Sequence, residues 1–371
     1  MALTRIPRLS LTQAHILYKQ AGSAAVIMEH RKELRDVLPD MADGLADAIA
    51  HADEAIDRAQ REYDYAQQKH IRCLTPADST YPRLLSECED APLVLYSLGA
   101  ADLNNPHAIS VVGTRRITEY GKDLCRRFID ELHQAYPDML IVSGLAYGVD
   151  ICAHREALAH KMPTVGVLAH GLDTIYPSVH RNTAIQMLEQ GGLLTEYMSQ
   201  TAIDKGNFVR RNRIVAGMTT ATVVVESAAK GGALITAGLA ADYNREVCAF
   251  PGRIFDAYSA GCNRIIAQQQ ARLIQSADDF LEVVGWAIAS DKQRTASGKT
   301  KGDALQQELF PNLSNEEQAI VNTLRGSDGK AMNQIVIDTN TPINQVSATL
   351  FELEMKGLVY ALGGARYRLA R

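Results

Sequence analysis

The sequence predicts an α/β fold built on a doubly wound parallel sheet, with a small all-helical module before it and a winged helix after it. Three observations carry this. Between residues 76 and 286, short β-branched apolar runs alternate with segments of helical period, the pattern of a parallel sheet covered on both faces. Residues 1–75 keep a helical apolar period interrupted at Gly22-Ser23. From residue 313, three helical segments run into two short strands that turn at Gly363-Gly364. The stretch 287–312 is rich in Ser, Gly, Lys, Asp and Gln without periodicity and reads as a flexible linker.

In the first region, 11–18 opens a helix, 24–28 resumes its apolar face, and one long acidic, Ala-rich helix is expected over 45–69. Short helices broken by glycine suit a module of the SAM or helix-hairpin-helix kind. Only Gly22 offers a glycine turn there, so a protein-contact or structural role is expected rather than a grip on phosphates. In the second region, strands are expected at 108–112, 139–142, 164–169, 193–196, 221–225, 247–250 and 272–274. Helices fill the gaps, at about 119–135, 149–161, 179–190, 208–217, 232–243 and 260–270. In the third, helices at 315–325, 332–339 and 342–356 precede strands at 358–361 and 367–369. This domain balances six basic residues against six acidic ones, which makes it a poor grip for DNA.

A chain of 371 residues holds two or three domains, and its 46% hydrophobic and 22% charged residues are ordinary for a soluble globular protein. No apolar run approaches the roughly 18 residues that cross a bilayer, and the start lacks the apolar stretch of a secretory signal. A cytoplasmic protein without membrane contact is expected. Six cysteines lie scattered without a CxxC pair, so reduced thiols are expected rather than zinc or a disulfide framework. The net charge of −5 excludes a general polyanion coat; a nucleic-acid site would have to be a local basic patch.

The chemistry gathers where strands hand over to helices. The first strand ends in Val112-Gly113-Thr114-Arg115-Arg116, where a glycine lets a phosphate approach the backbone, the next helix supplies N–H donors, and arginines add bidentate donors. There is no GxGxxG and no GxxxxGK[ST], so neither a dinucleotide nor a nucleoside triphosphate is the natural ligand, and no cofactor or metal is expected. A second such turn is Ser143-Gly144-Leu145-Ala146-Tyr147-Gly148-Val149-Asp150. Asp150 and His154 lie four apart on one helix face, and a structural contact between them is expected rather than catalysis. The loop Gly171-Leu172-Asp173-Thr174-Ile175-Tyr176-Pro177 either lines the site or anchors the fold. Lys205-Gly206-Asn207-Phe208-Val209-Arg210-Arg211-Asn212-Arg213 opens a helix with cations for a phosphate backbone and an aromatic ring for an unpaired base. Equally, Phe208 could be core and some of the arginines paired. After the fifth strand, Lys230-Gly231-Gly232 repeats the glycine turn with a lysine beside it. Several such turns on one sheet edge, with Arg115, Arg116, Lys205, Arg211 and Lys230 nearby, describe a phosphate-binding crevice.

These motifs, with Thr195-Glu196-Tyr197, Ile214-Val215-Ala216-Gly217 and Gly261-Cys262-Asn263, occur in order, and over residues 80–275 the chain strongly resembles the DprA/Smf family of bacterial DNA-processing proteins. The resemblance implies an extended Rossmann-like fold and a homodimer that binds incoming single-stranded DNA during natural transformation. It further implies that the protein protects the strand and loads the RecA recombinase onto it. By motif, Gly113, Thr114 and Arg115 would hold phosphates, Lys205 would contact the backbone, Phe208 would stack on a base, and Arg211 and Asn212 would support the site. Arg116, Lys230 and Gly232 complete the expected DNA-binding set.

Two other functions compete. A nucleotide-cleaving enzyme similar to the cytokinin-activating phosphoribohydrolases would share the Gly-Gly turn at Gly231-Gly232. In those enzymes a Gly-Thr and a catalytic glutamate follow, whereas Ala233-Leu234-Ile235-Thr236-Ala237-Gly238 supplies no acid. A non-enzyme is therefore expected. A duplex-DNA regulator working through the winged helix is the other alternative, and that domain's neutral charge counts against it.

Overall fold

The computed structural model describes residues 1–34, 41–286, 314–324, 330–339, 341–356, 358–362 and 366–369. The expected linker at 287–312 and the Gly363-Gly364 turn lie outside the described residues. The chain divides into two compact units, Met1–Ala287 and Ile288–Arg371.

The first unit begins with helices α1 (Leu11–Ala21), α2 (Ala24–Glu29), α3 (Asp43–Ala50) and α4 (Asp53–Gln68). Ser10 and Gln13 form a capping box that starts α1, and Gly22 ends it in the left-handed region at φ 76°. The single helix expected over 45–69 is two helices. The chain breaks at His51-Ala52, and Ile49 and Ala52 turn into the module's core. No glycine or proline marks that break, so the apolar period runs through it unannounced. A buried carboxylate ties the module to the rest of the unit. Glu62 accepts from the Ser199 N–H at 2.9 Å and its hydroxyl at 2.6 Å, while Arg58 donates to Glu62 at 3.0 Å and to the Ser199 carbonyl at 2.6 Å. A charge withdrawn from water is tolerated only when it is paired and hydrogen-bonded in this way.

The sheet contains β1 (Arg72–Leu74), β2 (Leu95–Gly99), β3 (Ala108–Val112), β4 (Leu140–Ser143), β5 (Thr164–Val167), β6 (Gly192–Thr195), β7 (Ala221–Val224), β8 (Glu246–Ala249) and β9 (Arg272–Leu273). Their order is β1-β2-β6-β5-β4-β3-β7-β8-β9, parallel from β6 to β9. β1 and β2 are antiparallel additions, with Tyr96 opposite Thr195. Helices α5 (Arg83–Ser86), α6 (Glu119–Ala135), α7 (Val149–Ala159), α8 (Arg181–Gln190), α9 (Lys205–Gly217), α10 (Gly232–Asp242), α11 (Ala260–Ala267) and α12 (Ala277–Val283) complete the unit.

Both faces of the sheet are covered. Ile109 and Val111 of β3 pack with Phe128 of α6, Ala153 of α7 and Phe280 of α12. Ala108 and Val112 point the other way, into a core shared with Ile214 of α9, Ala237 of α10 and Ile265 of α11. A strand buried on both sides is apolar at nearly every position, and the one polar residue of β3, Ser110, shares a 2.7 Å hydrogen bond with Thr222 of β7. Strands β4 to β6 extend from β3 in one direction and β7 to β9 in the other. The winding therefore reverses between β3 and β7, and the crossover loops diverge at their carboxyl ends.

The second unit holds α13 (Asn315–Leu324), α14 (Met332–Thr339) and α15 (Ile343–Met355), with strands β10 (Lys330–Ala331), β11 (Val359–Leu362) and β12 (Arg366–Leu369). The sheet order is β10-β12-β11. Ile320, Leu324, Ile335, Val346, Leu350 and Leu353 form its core. Ser314 and Glu317 cap α13 reciprocally, and Lys356 donates to Glu317 at 2.6 Å. Helix α15 contains no lysine or arginine.

Candidate functional site

The crevice at the winding reversal is a cavity of about 230 Å³. Three strand ends build it. Gly113, Thr114 and Arg115 follow β3, Gly144 and Ala146 follow β4, and Ala228, Gly231 and Gly232 follow β7. The fourth wall is α9, which contributes Phe208, Arg211 and Asn212. Of the sequence-predicted residues, the fold thus brings Gly113, Thr114, Arg115, Phe208, Arg211, Asn212 and Gly232 into one cavity. Arg116, Lys205 and Lys230 do not line it; all three are exposed.

Backbone geometry fixes the β3 turn from both sides. The Thr114 N–H donates to the Glu226 carbonyl at 2.7 Å, and the Thr114 carbonyl accepts from the Val149 N–H at 3.1 Å. Gly148, at φ 79°, lies so close that a β-carbon there would stand 2.1 Å from the Thr114 carbonyl oxygen, so only glycine serves. Helix α9 starts at Lys205, three residues earlier than expected, because the Asp204 side chain accepts from the Gly206 N–H at 2.7 Å and caps it. No side chain caps the first turn of α10, and Gly231, Gly232 and Ala233 of that turn line the cavity. Free N–H groups and the helix dipole there favour an anion.

Phe208 is half-buried rather than core. Its ring centroid lies 5.5 Å from the Arg115 guanidinium carbon and 5.8 Å from the Tyr176 ring, which meets it edge-on. Tyr176 comes from the loop after β5, whose role the sequence left open, and it widens the aromatic surface. Among the described residues, none of Arg115, Arg116, Lys205 and Lys230 pairs with a carboxylate. Four cations with no carboxylate partner among the described residues, together with an uncapped helix start, leave a local positive potential on a chain of net charge −5.

Arg211 has a different place. It is 3% exposed, and its guanidinium donates to the Gly144 carbonyl at 2.6 Å and to the Val167 carbonyl. A β-carbon on Gly144 would sit 2.3 Å from the guanidinium, so the glycine makes room for the cation. Burial holds the Arg211 pKa below its usual range, and Asp150 opposes that shift. Burial pushes the Asp150 carboxyl up, and Arg211 pulls it back toward ionisation. The expected Asp150–His154 contact is not made. Asp150 accepts from the Ala146 N–H at 3.3 Å, and His154 instead shares a 2.7 Å hydrogen bond with Thr164. Burial lowers the His154 pKa to about 3, so the ring is neutral near pH 7.

The acid at the end of β7, Glu226, is 2% exposed and already engaged. Its carboxylate accepts from the Thr118 N–H at 2.9 Å and the Thr118 hydroxyl at 2.5 Å, holding the start of α6. A half-buried ion pair of α9, Arg213 with Glu196 at 2.5 Å, lies outside the crevice.

A family model described as DNA recombination-mediator protein A matches residues 72–285, and one described as DprA winged helix domain matches 306–365. A putative DNA processing protein DprA of Mycobacterium tuberculosis is 35% identical over 85% of this chain and 81% of its own length. The X-ray structure of DNA processing protein A from Streptococcus pneumoniae aligns with TM-score 0.58 at 29% identity, over 74% of this chain and 97% of that one. DNA processing protein A of Helicobacter pylori, whose single-stranded DNA binding mode has been described structurally, aligns with TM-score 0.52 at 29% identity, over 58% of this chain and 97% of that one.

Proposed function

The chain belongs to the DprA/Smf family of DNA-processing proteins, and from that premise we propose that it binds single-stranded DNA in the crevice between β3, β7 and α9. In this reading it protects the strand and loads the RecA recombinase onto it during natural transformation. It works in the cytoplasm as a homodimer, without membrane contact, cofactor or chemistry of its own. The observation that carries the binding step is the pairing of the half-buried Phe208 ring with cations that have no carboxylate partner. Phosphates meet the cations, and an unpaired base meets the ring. A duplex keeps its bases stacked on one another and offers the ring nothing. The Helicobacter pylori relative supports the same ligand class. An enzyme needs a free acid or nucleophile in the crevice. Glu226 is committed to Thr118, and Asp150 is buried against Arg211.

Phosphate contacts are tested by salt. Lys205→Ala and Arg115→Ala should each weaken single-strand binding and flatten its log–log salt dependence by roughly 0.7. Fluorescence anisotropy across a salt series reads both quantities. Unchanged slopes in both variants would remove these residues from the DNA track.

The winged helix is expected to be dispensable for the affinity measured this way. The exposed residues of α15 include Ile343, Asn344, Ser347 and Phe351 and offer no cation to a phosphate. A chain ending at Trp286 should keep most of its affinity; a loss of about 100-fold, or roughly 2.7 kcal/mol, would place the wing in the site.

A further inference from the structure

The Arg115-Arg116 turn has a second side. Beyond it lies a depression of about 840 Å³, bounded by Thr118, Tyr120, Glu226, Arg253, Phe255 and Tyr258. Its outer wall is the loop at 251–259 after β8, which carries Ile254 and Phe255 at 83% and 98% exposure. This loop is anchored at both ends. The Asn263 side chain accepts from the Gly252 N–H at 3.1 Å and donates to its carbonyl at 3.0 Å. Tyr120 donates to the Pro251 carbonyl at 2.6 Å, and the Ser227 N–H donates to the Tyr258 carbonyl at 2.7 Å. A phenylalanine fully in water on an anchored loop contributes nothing to the core, yet a base that docked on it would lose little by ordering the loop.

The segment Thr114–Thr118 runs from the crevice to the depression, with Thr114 lining the first and Thr118 the second. Glu226 binds the Thr114 N–H through its carbonyl and the Thr118 N–H through its carboxylate, so one residue ties both ends of the intervening segment. Thr114 and Thr118 can stand at most about 14 Å apart. A stacked strand advances about 3.4 Å per nucleotide, so some four nucleotides cover that distance. The charges on this side also suit a backbone. Glu119 is engaged by Lys122 at 2.7 Å and Glu226 by Thr118, which leaves Arg253 exposed against Asp256, with the exposed Arg116 two residues before Thr118.

We infer that the Phe255 loop is a second base platform, which carries the single-strand track from the Phe208 crevice past Arg116 and onto the loop after β8. The inference rests on the function proposed above and adds a length to its footprint. The test uses the full chain, its Phe255→Ala and Phe208→Ala variants, and oligothymidylates of about 5 and about 15 nucleotides, within the range of single-strand site sizes. Phe255 packs on nothing, so its replacement leaves thermal unfolding unchanged. Phe255→Ala should weaken the longer strand by about 5- to 100-fold, the loss of one base–aromatic stack, and leave the shorter strand bound as before. Phe208→Ala should weaken both. Equal affinity of parent and Phe255→Ala for the longer strand overturns the inference, as does an equal loss at both lengths. A change in mass by light scattering without DNA also overturns it, by assigning the loop to contact between copies. If the parent binds neither strand, the proposed function fails and the second platform falls with it.

Discussion

Arg211→Met should destabilise the first unit by roughly 3–5 kcal/mol, the usual cost of stripping a buried charge of its partner. The substitution leaves the Gly144 and Val167 carbonyls without their donor and leaves Asp150 buried without its neighbouring cation. Part of that penalty should depend on pH. Burial already raises the Asp150 pKa, and without Arg211 it rises further. A folded-state pKa above the unfolded one costs stability as pH rises through it, so the variant's deficit should shrink toward acid pH. Urea unfolding at two pH values measures this, and Asp150→Asn added to Arg211→Met should recover part of the loss. A variant as stable as the parent that no longer binds DNA would instead make Arg211 a ligand contact.

Phe208→Ala should cost roughly 1–3 kcal/mol of single-strand affinity with the salt slope unchanged, because the ring supplies stacking and no charge. The fold should survive, since the ring is half-buried and its neighbours are Tyr176 and Arg115 at the crevice rim rather than core side chains. Arg115 leans on that ring, so part of the loss comes from a guanidinium no longer held in place. Circular dichroism and an affinity series separate the two possibilities. An unfolded variant would return Phe208 to the core and end the stacking claim.

The contrast between Arg211 and Phe208 shows where sequence reading works and where it stops. Strands β3 to β8 were legible because burial on both faces leaves continuous apolar runs. Short antiparallel strands carry no such signal, so β1 and β2 went unread. The glycine turns were legible as a set, since each follows a strand on the same edge of the sheet. Three arginines within one helical turn were not separable. At 100° per residue, Arg210 faces solvent, Arg211 enters the core and Arg213 reaches Glu196. Only the path of β4, with Gly144 making room for a guanidinium, decides which of the three goes inside. Tyr176 joins the aromatic surface through tertiary packing alone. The early start of α9 has a signal in the sequence, Asp204 standing one residue ahead of Lys205 as a cap.

Competition between matched single- and double-stranded oligonucleotides, run with the parent, Phe208→Ala and Arg115→Ala across a salt series, is the most direct test of a single-strand crevice. The parent should prefer the single strand at every salt concentration. Phe208→Ala should lose most of that preference, and Arg115→Ala should lose affinity mainly at low salt, where phosphate contacts contribute most. Equal binding of both strands by the parent, or a preference that survives Phe208→Ala intact, would contradict the crevice as the single-strand site.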